Sequence, residues 1–224
     1  MSEINPLLFY MNTSDYKDIL KKLKEIPCDT FIVNYMAYPL PHNLSREYYL
    51  THKEYTHLIV QAHDVLATSY EYFHLIQRLK KTNYDIIAVP CNVEREGHRL
   101  HGMLNICMNL PDLDKSKRYY KWIPKGIKGI IKVEFQGNAF TIISRKIIES
   151  IVLPSAEFVF KGTDQNASPY SASPDLTFCT CLKIKDIPIY ADCDIFVKHY
   201  ANHKPSLIGK KDASTTVLYY NGRK

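Results

Sequence analysis

No apolar run in this 224-residue chain approaches the ~18 residues that a bilayer-spanning helix needs. The first residues show neither the charged start nor the apolar core of a secretory signal. Neither a span nor secretion is indicated, and a cytoplasmic location is expected. Six cysteines are present, but no two stand as CxxC, so zinc and dithiol-redox readings have no support. The cysteines are expected as small buried hydrophobes without disulfides. Glycine is scarce, with 8 residues in the chain, and MNTSD stands where a dinucleotide-binding protein would carry GxGxxG after its first strand. The same stretch is not the basic glycine-rich loop that a nucleotidyltransferase would want. No block of one charge stands out either. The 23 acidic residues are dispersed among 29 basic ones, for a formal charge of +6. That balance suits a phosphate-bearing small molecule, and a nucleic-acid partner is not expected because it usually demands a denser basic stripe. There is no internal repeat and no obvious linker.

What the chain does have is a core and a rhythm. Hydrophobic residues make up 46% of it, with 17 Tyr and 9 Phe, which places it among globular proteins. Over the first 93 residues apolar bursts alternate with helical patterns: LLFYM, YKDILKKLKEI, TFIVNYM, SREYYLTHKEY, HLIVQA, YEYFHLIQRLKK and DIIAVPCNV. Such alternation calls for a parallel sheet with crossover helices on both faces. After residue 93 the pattern changes. RLHGMLNICMNL and GIIKVEFQG read as strands, ISRKIIESIV and LTFCTCLKIK as helices, and IPIYADCDIFVKHY as a strand. The expected fold class is α/β: a Rossmann-like, mostly parallel sheet flanked by helices, with a mixed or antiparallel C-terminal half. One domain is expected over residues 1–202, with a nucleotide-binding half at 1–93 and an acceptor half at 94–202, and residues 203–224 form a C-terminal extension.

HLIVQAHDVLA, residues 57–67, poses the functional question, because a buried strand runs directly into His63 and Asp64. Burying a carboxylate costs several kcal/mol or more unless it is paired. In open α/β sheets ligands bind beyond the carboxyl ends of the parallel strands. Asn12, Asn34 and the His63–Asp64 pair would all fall there. The strands near 7–11, 30–34, 57–62 and 85–90 are therefore expected to be neighbours, with Asn12, Asn34 and Asp64 on one edge.

Four pieces and their order carry a resemblance: LSREYYL followed by THLIVQAHDV, then GNAFTIISRKII, then SPDLTFCTCLKIKDIPIYADCDIFVKHY. They resemble the glycosyltransferase A fold, especially family 2-like enzymes that use nucleotide sugars, over roughly residues 6–200. The last piece matches that family step by step: an acidic residue opening a helix, an apolar and basic run, a turn, a strand with Tyr and Asp, and a late His.

The resemblance implies a metal-dependent glycosyltransferase that moves a sugar from a nucleotide-diphosphate donor to an acceptor hydroxyl, with inversion. Residues 62–64 take the place of the family's Asp-X-Asp signature, of which Ala62-His63-Asp64 keeps only the last carboxylate. Asp64 and His199 would hold a divalent cation, Mn²⁺ or Mg²⁺, since such ions accept one or two protein donors with phosphate oxygens and waters completing the shell. Asp175 would be the catalytic base, although Pro174 replaces the usual acidic neighbour. As a plain helix start, Ser173 as N-cap and Pro174 at the first position would leave Asp175 only a favourable charge at the N-terminus. Asn12 and Thr13 would face the donor base, with Asn34 ending the second strand and His63 beside the metal. Arg46, sixteen residues before Ala62 as the family's arginine is before its signature, could meet base or phosphate.

Two further stretches invite partners. DKSKRYYKWIPKGIK, residues 114–128, mixes cations with the chain's single Trp and could meet a glycan, protein or lipid acceptor, including peripheral contact with a membrane. GTDQNASPYSASPD, residues 162–175, is polar and could close over a bound donor. The competing reading is a non-catalytic glycosyltransferase-like binding module, which Ala62 and Pro174 make credible.

Overall fold

The computed structural model describes residues 3–12, 17–34, 40–93, 103–109, 121–151, 174–200, 216–220 and 222. The chain begins with β1 (Pro6–Asn12), α1 (Lys17–Leu23), β2 (Asp29–Asn34), α2 (Leu40–Thr51), β3 (His57–Gln61), β4 (Val65–Leu66), α3 (Ser69–Thr82) and β5 (Ile86–Val89). It continues through β6 (Asn92–Val93), β7 (Met103–Cys107), β8 (Trp122–Pro124), β9 (Ile130–Val133), β10 (Phe135–Gln136), β11 (Phe140–Ser144) and α4 (Arg145–Ser150). The last described elements are α5 (Pro174–Ile184), β12 (Ile189–Asp192), β13 (Lys198–His199) and β14 (Thr216–Tyr220).

Eight strands form the central sheet in the order β14-β2-β1-β3-β11-β5-β12-β9. Strands β1, β2, β3, β5 and β12 run in one direction, and β14, β11 and β9 run against them. Every residue of β1, PLLFYMN, is buried, as is every residue of β2 and β11. Continuous apolar runs of this kind belong to strands covered on both faces. Alternate side chains then serve two cores. Leu7, Phe9, Met11, Leu58, Val60 and Ile86 pack with Tyr49 of α2, Ile147 of α4 and Leu182 of α5. Leu8, Tyr10, Ile59 and Ile87 pack with Ile19 of α1 and Leu75 of α3. Each such fully buried aliphatic stabilises the fold by roughly 1.5–3 kcal/mol.

Helix α3 shows how local sequence fixes an element. Thr68 and Glu71 close a capping box at its start, Tyr72, Leu75 and Leu79 form its buried stripe, and Asn83 ends it at φ 55°. From the opposite flank Arg78 donates to Asp192 (Nε to Oδ2, 2.7 Å) and to Asp194 (Nη2 to Oδ2, 2.7 Å), while His74 Nε2 lies 3.1 Å from Asp192. This clamp fixes α3 against the end of β12.

Four expectations change. GIIKVEFQG, read as one strand, is two: β9 at the edge of the central sheet and β10 paired with β7 in a smaller one. Strands β3 and β5 are not neighbours, because antiparallel β11 lies between them, paired Ile142 to Ile59 on one side and Ile142 to Ile87 on the other. The helix read over 143–152 is shorter for the same reason: Ile143 and Ser144 complete β11, and α4 begins only at Arg145. An apolar run of that length fits a buried strand and a helix equally well. The single strand read over 187–200 is two, β12 and β13, with the turn at Cys193–Asp194 anchored by Gly129. In the C-terminal extension, β14 adds an edge strand along β2. Gly222 follows it, donating to Asp29, where a Cβ would collide with the Cys28 carbonyl. All six cysteines are free, five of them buried and Cys181 half-buried.

Candidate functional site

Beyond Gln61 the chain leaves the sheet through Ala62, His63 and Asp64 and enters β4. Gln61 holds this turn by donating Nε2 to the Val65 carbonyl at 2.7 Å, and Tyr10 donates its hydroxyl to the His63 carbonyl at 2.9 Å. Strand β4 pairs antiparallel with β13, with His199 opposite Val65, and the Tyr200 N–H donates to the Asp64 carbonyl. That pairing brings His199, 135 positions away in sequence, to Asp64: its Nε2 is 3.2 Å from Asp64 Oδ2. His63 Nε2 lies 3.8 Å from the same oxygen. Burial opposes ionisation of Asp64. The hydrogen bond from His199 and the charges of His63 and His199 outweigh it, so the carboxyl stays below its usual range. Nδ1 of His199 is buried without a hydrogen-bond partner among the described residues.

Asp175 arrives from another direction, in the first turn of α5. Asn138, in the turn between β10 and β11, donates Nδ2 to Asp175 Oδ1 at 2.7 Å. Behind it Gln136 Nε2 donates to Asn138 Oδ1 at 2.5 Å, and Thr141 Oγ1 donates to Gln136 Oε1 at 2.9 Å. Loss of solvation pushes the Asp175 carboxyl up to about 6; the hydrogen bonds from Asn138 pull the other way, and the Asp64 charge adds to the rise.

Asp64, His63, His199 and Asp175 line one cavity of about 220 Å³, together with Phe9, Met11, Gln61, Asn105, Asn138 and His42. It lies past the carboxyl end of β3, where such sheets bind ligands. A larger hollow, about 560 Å³, lies at the other ends of the strands, around His57, Asn83 and Asp85. Its charged lining, Glu3, Lys80 and Asp85 with His57, sits at the amino ends of the parallel strands, away from Asp64 and Asp175. In the site cavity His42 meets Phe9 edge to face at 5.3 Å, and burial lowers its pKa to about 4, so it is neutral at pH 7.

The structure does not bring every expected residue into the cavity. Asn12 and Asn34 end adjacent parallel strands in register, and Asn12 Nδ2 donates to Asn34 Oδ1 at 2.7 Å. Both are buried, and neither lines the cavity. Arg46 turns to α4 instead, donating Nη2 to the carbonyls of Ile151 (3.0 Å) and Ile148 (3.4 Å) and so capping that helix. Thr13, residues 114–120 of the basic stretch 114–128, and residues 162–173 lie outside the described residues. Trp122 is described: it packs edge to face on Phe135 at 6.1 Å, against the core. Sequence reasoning missed Asn138, His42 and Asn105. Asn138 stood inside the GNAF piece, where its polarity between two apolar strands was the available signal.

Asp64 and His199 offer a carboxylate oxygen and an imidazole nitrogen side by side, a donor pair that suits Mn²⁺. Among the described residues no group of three or more His, Cys, Asp or Glu is gathered for a metal. A cation here would thus take most of its shell from phosphate and water, as hard cations in phosphate sites commonly do.

No family model matches the sequence. No curated protein matches it either. Among solved structures the chain is similar to one titled "Crystal Structure of A197 from STIV", with a TM-score of 0.60 and 16% identity over 88% of this chain and 86% of that one. The likeness spans nearly the whole of both chains and shows the fold, an α/β sheet flanked by helices that is compatible with the glycosyltransferase A type. Among the described residues no helix is long and apolar enough to cross a membrane.

Proposed function

We propose that the cavity is the reaction centre of a glycosyltransferase that transfers a sugar from a nucleotide-diphosphate donor to a hydroxyl of a glycan, protein or lipid acceptor, with inversion. One observation carries the reading: Asp64, His199 and Asp175, from three distant parts of the chain, converge in a single cavity past the end of β3. At about 220 Å³ the space is below the ~300–1,000 Å³ of a whole-ligand pocket. It suits the reacting end of the donor, the diphosphate and anomeric carbon, with the nucleoside lying outward.

Asp64 and His199 would hold the divalent cation against the diphosphate. When bound, that ion supplies positive charge to the leaving group. Asp175 accepts the acceptor hydroxyl's proton as its oxygen forms the new bond to the anomeric carbon; the bond from that carbon to the diphosphate breaks, releasing nucleoside diphosphate. A carboxyl at about 6 is mostly ionised at pH 7 yet basic enough to take a proton, which is the compromise general-base catalysis favours. Asp64, kept ionised by its histidines, is unsuited to that work and suited to a cation. The division of labour follows from environments that push two carboxyls apart.

The test is donor turnover with UDP- and GDP-sugars and Mn²⁺ across a panel of hydroxyl acceptors. Turnover that disappears with a chelator and in Asp175→Asn supports the transferase. Tight nucleotide binding with no turnover of any donor would favour the binding module.

A further inference from the structure

The turn Gly137–Ala139 touches both carboxylate sites at once. The Ala139 carbonyl accepts the Ala62 N–H, at the start of the Asp64 turn, while Asn138 donates to Asp175. The turn is itself pinned: Asn105 donates Nδ2 to the Gly137 carbonyl at 2.6 Å and accepts the Cys91 N–H at 2.8 Å. Behind Asn138 the side chains of Gln136 and Thr141 are fully buried, at 1% and 0% exposure, so neither can exchange its partner for water.

The polarity of this chain follows from its end. An ionised carboxylate only accepts, so the Asn138 amide must present Nδ2 to Asp175 and Oδ1 to Gln136. Gln136 must then present Nε2 to Asn138 and Oε1 to Thr141, whose hydroxyl is left to donate. Reversing either amide would set two acceptors face to face, Asn138 Oδ1 against Asp175 or Gln136 Oε1 against Asn138 Oδ1, and the buried Gln136 side chain could not turn to water instead. A helix-start aspartate needs none of this, because the backbone N–H groups of its own first turn already favour its charge.

Building on the assignment of Asp175 as the base, we infer that Asn138 is the positioning residue for the Asp175 carboxylate, and that Gln136 and Thr141 fix which end of its amide faces that carboxylate. The upward displacement of Asp175 by burial, partly offset by Asn138, agrees with this arrangement. The other titratable groups facing Asp175 are His42, His63, Asp64, Cys91 and His199 across the cavity and Cys179 on its own helix. Only the amide chain is removed by the changes below.

The experiment is carboxyl carbon NMR of the full-length chain, with the Asp175 resonance assigned through Asp175→Asn and titrated in wild type, Asn138→Ala and the near-isosteric Thr141→Val. The wild-type midpoint is expected near 6. Asn138→Ala should raise it by about one to two pH units, the worth of one charge-assisted hydrogen bond. Thr141→Val should raise it by less, though it touches no atom of Asp175, and the acid limb of the kcat pH profile should move by the same amounts. His63 and His199 ring resonances at their wild-type chemical shifts identify preparations with the cavity intact. Unmoved Asp175 midpoints in both variants, with those histidines intact, would overturn the inference and leave the base assignment standing. Shifted midpoints in a protein that turns over no donor would remove the base assignment while the positioning of the carboxylate by Asn138 stands.

Discussion

Asp192 and Asp175 are both enclosed carboxylates, and the protein treats them in opposite ways. Asp192 is fully buried and saturated: Arg78 donates through Nε and Nη2, the Asp194 N–H donates at 3.1 Å, and His74 closes the remaining side. Asp175 faces a cavity with one side-chain donor and the charge of Asp64 nearby. A buried charge with a full set of partners holds structure together. One left short of partners beside a cavity keeps its capacity to bind or to exchange a proton, which is why perturbed carboxyls concentrate at functional sites.

Breaking the comparison at Asp175 should give the largest effect. Asp175→Asn is expected to keep donor binding and lose about 10²- to 10⁴-fold in turnover, the usual worth of a general base. The same change should stabilise the protein at pH 7 by about 1 kcal/mol, because a carboxyl displaced upward is a cost to folding there, larger than the ~0.3–1 kcal/mol lost at the helix N-terminus. The sign is specific. Between about 4 and 6 folded Asp175 holds a proton that the unfolded chain has released, so its contribution falls as pH rises through that window. The Tm advantage of Asp175→Asn over wild type should therefore be absent near pH 4, grow to about pH 6 and then level off, as thermal unfolding at several pH values would show.

At Asp192 the expectation reverses. Asp192→Ala should cost about 2–4 kcal/mol in chemical denaturation, toward the lower part of the range for a broken buried pair because Arg78 is partly exposed. Arg46→Ala should cost less, about 1.5 kcal/mol, through the lost cap on α4. Because Arg46 faces Ile148 and Ile151, nucleoside diphosphate affinity in this variant should match wild type by calorimetry; a loss of tenfold or more would return Arg46 to the nucleotide site.

Much of the fold was legible, since helical periodicity and apolar runs are local signals: the YEYFHLIQRLKK pattern announced α3, and the apolar LLFYM run announced β1. Strand order was not legible around β11, because Phe140–Ser144 is buried on both faces and its apolar residues run on into α4. Asp64, His199 and Asp175 were found through motif order, and the geometry gathers them. Asn12 and Asn34 read as ligand contacts because strand-end amides often are; parallel register places them side by side, with Asn12 Nδ2 donating to Asn34 Oδ1. Asn138 escaped notice because a single polar residue in a turn has no period, and its partner lies 37 positions away.

The most direct test of the site is calorimetric titration of UDP and GDP, each with and without Mn²⁺, into wild type, Asp64→Asn and Asp175→Asn. Wild type and Asp175→Asn are expected to bind a nucleoside diphosphate in a Mn²⁺-dependent manner with similar affinity, and Asp64→Asn to lose that dependence, since Asp64 is the one carboxylate offered beside His199. Unchanged Mn²⁺-dependent affinity in Asp64→Asn would contradict the account and move the nucleotide site elsewhere on the protein.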